Sequence, residues 1–147
     1  MRPLASPDVD PGPEPLPPGA LRDRGVRESM SPAAIRLFLR LAERWQLPVA
    51  DRCALLGDLP RPTYYNWVKG KAGPLSRDQL ERISLLLGIH KGLGLLFADG
   101  EAADRWLRAA NRDLEFAGRS PLARMLEGGI DDLYAVRRYL DAWRGFQ

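Results

Sequence analysis

The chain is predicted to be all-α. Three observations carry this: apolar residues recur three and four apart, Ser-Pro pairs that suit helix starts precede two such segments, and no apolar–polar alternation persists beyond a few residues. At 147 residues it is long enough for one compact domain, or for two small ones sharing a core.

Residues 1–30 hold Pro3, Pro7, Pro11, Pro13, Pro15, Pro17 and Pro18 of the chain's 13 prolines and few large apolar side chains, so a disordered arm is expected there. Order is expected to begin at Ser31-Pro32, a serine cap followed by a proline at the first helical position. Ile35, Phe38, Leu41, Ala42 and Trp45 then mark one face of a helix that ends before Pro48. A short helix from Val49 to Gly57 presents Val49, Cys53 and Leu56, and the break Asp58-Leu59-Pro60-Arg61-Pro62 follows. Thr63 is the expected cap of a third helix running to Gly70. Short helix, tight turn, short helix is a helix-turn-helix.

Ser76 should cap the next helix, with Leu80, Ile83, Leu86 and Leu87 inward, and the apolar, glycine-interrupted run from Gly88 to Phe97 should continue it. Asp99 to Ala110 is expected to be helical, with Ala103, Trp106, Leu107 and Ala110 inward, and Asn111 to Arg119 a loop. Two helices close the chain, one capped by Ser120-Pro121 and one from Asp131 to Trp143 carrying Leu133, Val136, Leu140 and Trp143 on one side. The expected organisation is an arm (1–30), a helix-turn-helix domain for DNA binding and dimerisation (31–97) and a C-terminal helical domain (98–147).

The formal charge is +3, and it is unevenly spread. From Arg61 to Lys91 the cations Arg61, Lys69, Lys71, Arg77, Arg82 and Lys91 face only Asp78 and Glu81, whereas arginines and acids nearly balance after Ala98. In a helix-turn-helix the second helix enters the major groove, which makes Arg61, Thr63, Tyr64, Asn66, Lys69 and Lys71 the candidate DNA contacts. Asparagine pairs bidentately with adenine, threonine meets the thymine methyl, and lysine holds phosphate. Tyr65 and Trp67 can equally be core residues of a three-helix unit, and the cations a solvated face.

An enzyme is not expected. No nucleophile elbow, phosphate loop or metal-ligand spacing occurs, and Gly92-Leu93-Gly94 follows no strand. His90, the one histidine, is read as a structural, partly buried residue, and Cys53, the one cysteine, as core. No cofactor and no metal are expected. The lack of a spanning apolar run and of a secretory leader points to the cytoplasm.

Four blocks carry a resemblance. Leu80-Glu81-Arg82-Ile83-Ser84-Leu85-Leu86-Leu87-Gly88-Ile89, then Trp106-Leu107 with Asn111, then Phe116-Ala117-Gly118-Arg119-Ser120-Pro121-Leu122, and Val136-Arg137-Arg138-Tyr139-Leu140-Asp141-Ala142-Trp143-Arg144-Gly145 together resemble the Xre/MbcA/ParS antitoxins over about Pro32 to Gly145. The resemblance implies an Xre-like helix-turn-helix domain followed by a toxin-binding domain. It also implies a RES-domain toxin as partner, an enzyme that degrades NAD or transfers its ADP-ribose, held off by a C-terminal region occluding the NAD pocket. Carried over residue by residue, the toxin contacts are Arg119, Ser120, Pro121, Arg137, Arg138, Asp141, Trp143, Arg144 and Phe146. Arginine forks and a large indole suit a surface shaped for a dinucleotide. Operator DNA and a homodimer are further expected, since helix-turn-helix readers meet paired half-sites. The alternative is a standalone helix-turn-helix repressor whose C-terminal half senses a ligand or dimerises.

Overall fold

The structure, a computed structural model, describes residues 19–145, so the proline-rich stretch through Pro18 and the terminal Phe146 and Gln147 lie outside the described residues. Seven α-helices follow a single 3-10 turn, Ala20–Arg22, and no strand occurs among the described residues: α1 Arg24–Arg44, α2 Val49–Leu55, α3 Arg61–Val68, α4 Arg77–Leu96, α5 Gly100–Arg108, α6 Pro121–Glu127 and α7 Ile130–Gly145.

Helix α1 begins about two turns before Ser31, which corrects the expected boundary and removes residues 19–30 from the predicted arm. Asp23 is its cap, accepting from the Gly25 amide at 2.7 Å. Arg27 ties the preceding turn down by donating to the Leu21 and Arg22 carbonyls, both at 2.9 Å. Ser31 lies inside the helix and is buried. Its hydroxyl donates to the Arg27 carbonyl at 2.5 Å and accepts from the Leu75 amide at 2.9 Å, so a side chain expected to start a helix instead joins α1 to the segment before α4. Pro32 sits within α1, where its missing N–H cannot donate to the Glu28 carbonyl one turn before.

The turn after α2 needs two left-handed residues, Gly57 (φ 80°) and Asp58 (φ 60°), and closes with the Leu59 amide on the Cys53 carbonyl at 3.0 Å. Helix α3 starts at Arg61 with Pro60 as its cap residue and Pro62 in the first turn, so Thr63 is a helical residue and not the expected cap. Ser76 does cap α4, through a capping box with Gln79: the Gln79 amide donates to Ser76 Oγ at 3.1 Å and the Ser76 amide to Gln79 Oε1 at 2.9 Å.

Helix α4 is the spine. It packs against α1 on one side and α7 on the other, and α5 folds back on it. Among the glycines that interrupt its apolar run, Gly88 lies where α7 crosses closely. A Cβ on Gly88 would fall 1.5 Å from the Arg137 guanidinium, and Gly92 faces Leu140 at ordinary contact distance. One contiguous core runs from Ile35 and Phe38 of α1 through Leu86 and Ile89 of α4 to Val136 and Leu140 of α7. The predicted inward faces of α1 and α4 are buried, with Leu87 half-buried, whereas Ala110 and Trp143 are exposed.

Candidate protein and nucleic-acid interfaces

The first candidate surface is the outer side of α3. Arg61, Asn66, Lys69 and Lys71 are exposed and Thr63 is half-buried. Tyr64 is different. Only 3% exposed, it is a core residue and not a base-reading one, which corrects its assignment. Its hydroxyl accepts from Arg52 Nη1 at 2.9 Å, while Arg52 Nε donates to the Leu47 carbonyl at 2.8 Å and Nη2 to Glu43 at 3.2 Å. One guanidinium thus joins the end of α1, α2 and α3 and sets how α3 is presented. Burial works against the Arg52 charge, but its bonds to Tyr64 and Glu43 outweigh that and hold its pKa above the ordinary value.

Helical geometry explains the tyrosines. Tyr64 and Trp67 are three apart and share the inward face, whereas Tyr65 and Trp67 are two apart and cannot both turn inward. The exposed members are Tyr65 and Val68, and sequence reasoning missed both as surface residues. With Arg61, Asn66 and Lys69 they form a face of one amide, one phenol, one aliphatic group and two cations. That is suitable chemistry for base edges flanked by phosphates.

The second candidate surface is built by α5, α6, α7 and the loop between α5 and α6. Trp106, Phe116 and Tyr139 form its centre: Trp106 and Tyr139 stack at 5.9 Å, and Phe116 meets Trp106 edge-on at 5.8 Å and Tyr139 at 4.9 Å. Phe116 is fully buried. The Tyr139 hydroxyl donates to the Asp113 carboxylate, and the Trp143 ring lies 6.3 Å from the Tyr139 ring, centroid to centroid. Partial burial, and next the bond to Asp113, push the Tyr139 phenol above its ordinary pKa. Arg124 braces the same loop from α6. Its guanidinium donates to the Glu115 carbonyl and carboxylate and, through Nε, to Asp132 at 3.0 Å. Asp132 is held below the ordinary carboxylate value, first by that Arg124 bond and also by the Gly129 amide, with burial opposing.

The nine residues carried over as toxin contacts separate into groups. Trp143 is 54% exposed, and Arg138 and Arg144 are also exposed. Asp141 pairs with Arg137 at 3.2 Å and with Arg144 at 3.4 Å, so α7 presents a linked row of charges. Arg137 is half-buried, lying over Gly88. Arg119 is exposed and paired with Glu127 at 3.1 Å. Ser120 is occupied as the cap of α6, accepting from the Ala123 amide at 3.0 Å, and Pro121 is buried in its first turn. Buried Pro121 serves the fold, which corrects its reading as a surface contact, while half-buried Ser120 is a cap of the fold at the edge of that surface. Phe146 lies outside the described residues. At this junction serine caps the helix, and Pro121 and Leu122 fill the core beneath it.

His90 keeps solvent contact at the seam between α1 and α4, its ring edge-on to Trp45 at 6.3 Å. Partial burial, and then the Arg44 charge, hold it below its ordinary value of 6.5, with Asp104 opposing. The unfolded chain therefore takes up the proton first as pH falls. His90's contribution is fully present above about pH 6.5 and is lost as pH drops through the window below it. Melting temperature measured across pH 7 to 5 should fall, and His90→Gln should flatten the part of that slope due to this ring. An unchanged slope would assign the pH response to the carboxylates.

Among the described residues no helix is long and apolar enough to cross a membrane, and no group of His, Cys, Asp and Glu is placed to hold a metal ion. Residues 24–88 match the family described as an antitoxin Xre-like helix-turn-helix domain. Residues 93–145 match the antitoxin Xre/MbcA/ParS C-terminal toxin-binding domain. An uncharacterised protein, y4oB, of Sinorhizobium fredii (strain NBRC 101917 / NGR234) is 46% identical over 114 residues, covering 78% of this chain and 86% of the relative. No solved structure matches. The two matches meet within the spine helix α4, one carrying the α2–α3 unit and the other the aromatic-centred α5–α7 unit. With both domains in this order and a relative at this identity over most of its length, the chain belongs to the Xre/MbcA/ParS antitoxins.

Proposed function

We propose that the chain neutralises a RES-domain toxin, an enzyme that consumes NAD or transfers ADP-ribose, by laying the end of α7 over its NAD pocket, and that it represses its own operon as a cytoplasmic homodimer. The observation that carries this reading is the exposed end of α7, where Arg138, Trp143 and Arg144 stand in water beside the braced aromatic centre. A dinucleotide pocket is built for pyrophosphate and flat rings. Guanidinium groups and an indole are suited to its polar and stacking surfaces. Inhibition in this reading is occlusion and requires no chemistry by the antitoxin.

Co-expression with the product of the adjacent reading frame tests it. A stable complex should copurify, and combined Trp143→Ala and Arg144→Ala should weaken it by about 100-fold or more. The helix content should not change, since both side chains project into solvent. Retained neutralisation would move the interface away from α7. For the DNA half, Asn66→Ala with Lys69→Ala should abolish retardation of the upstream promoter and leave toxin binding intact. Promoter binding with no toxin complex would instead support a standalone repressor, a reading that the exposed amide and cations of α3 also favour.

A further inference from the structure

Leu114 is 99% exposed, more than any other large apolar side chain among the described residues. A leucine in water does nothing for the fold, and here it is held in water by a loop with little freedom to withdraw it. On one side, Asp113 receives the Tyr139 hydroxyl, and its amide donates to Asn111 Oδ1 at 3.0 Å. On the other, Glu115 is bonded twice by Arg124, and Phe116 is fully buried. The amides of Phe116 and Ala117 return to the Asp113 carbonyl at 2.9 and 3.0 Å, so the backbone turns tightly around Leu114. The loop's ends are closed by the Asn111 amide on the Arg119 carbonyl at 3.1 Å and the Gly118 amide on the Asn111 carbonyl at 2.8 Å. Ala117 and Gly118 take left-handed conformations, φ 52° and 86°, to make that closure.

We propose that Leu114 is an apolar anchor that enters a pocket on the partner toxin, acting together with Trp143. The two side chains belong to one surface, because Tyr139, whose hydroxyl fixes Asp113 next to Leu114, also packs beside Trp143, their ring centroids 6.3 Å apart. Both lie inside residues 93–145, the segment matched as toxin-binding, while the DNA-facing helix α3 lies in the other matched segment. A second copy of this chain is the other occupant, and the test distinguishes it. A braced loop is suited to a hot spot because the ordering cost of binding is already met in the free protein.

This inference rests on the toxin-binding reading, and the test separates the two. The full chain is titrated calorimetrically with the purified product of the adjacent reading frame. Leu114→Asp should raise Kd by about 30-fold or more, and Leu114→Met should stay within about threefold of the parent. Melting temperature and promoter retardation should be unchanged in both variants. A Kd for Leu114→Asp within about twofold of a tight parent complex overturns the anchor and leaves the toxin-binding reading standing. No parent complex at all overturns that reading and the anchor with it. A lowered melting temperature for Leu114→Asp makes Leu114 a fold residue, and loss of self-association with intact toxin binding assigns it to a second copy. Either result also overturns the proposal.

Discussion

Phe116→Ala should lower the unfolding free energy by about 3–5 kcal/mol, measured by urea denaturation. The ring is fully buried and meets Trp106 and Tyr139 edge-on, so its removal leaves a cavity between the loop and α7. A domain of this size has about 5–15 kcal/mol to lose. The same substitution should release the turn around Leu114, so toxin binding should fall further than the fold stability alone requires. Phe116→Leu keeps much of the volume and should lose less. A loss under about 1 kcal/mol would mean that Trp106 and Tyr139 close over the gap.

Arg52→Ala should cost about 2–4 kcal/mol, because two part-buried acceptors, the Leu47 carbonyl and the Tyr64 hydroxyl, lose a charged donor at once. The bond to Glu43 adds little, since that carboxylate is 78% exposed. Arg52→Lys should not rescue. An ammonium is a point donor and cannot span the acceptors that the guanidinium fork reaches. Because Arg52 fixes α3 through Tyr64, promoter affinity should drop even in variants kept folded at low temperature. Loss of stability with unchanged promoter affinity would show that α3 is oriented by Trp67 and the α2–α3 turn alone.

Much of this was legible in the sequence. The helical class, the α2–α3 unit, the Ser76 and Ser120 caps, the loop from Asn111 to Arg119 and α7 all follow from periodicity and capping chemistry, which act within a few residues. The inward faces of α1 and α4 were legible for the same reason. The candidate DNA-facing surface was half-legible: Asn66 and the cations stand exposed, but Tyr64 and Tyr65 exchange places, and the helical period relative to Trp67 was the available signal. At the C-terminal surface Trp143, Arg138 and Arg144, all exposed, were candidates only through family resemblance, and nothing in the sequence marked Leu114. A leucine beside Phe116 reads as core unless the fold of the loop is known.

The start of α1 shows the dividing line most clearly. Ser31-Pro32 has the local chemistry of a helix start, and locally that reading is sound. What places the pair inside a helix is the Leu75 amide, 44 positions away, which the Ser31 hydroxyl satisfies, together with Arg27 holding the turn that precedes α1. Gly88 of α4 is similar, since its lack of a side chain has meaning only once Arg137 of α7 lies over it. The sequence by itself determined which segments are helical and which faces are apolar, because those preferences depend on neighbours three and four residues away. Only the tertiary structure decided which polar groups join distant segments and which apolar side chains remain in water. Those outcomes depend on hydrogen-bond partners and packing surfaces that the folded chain alone brings together.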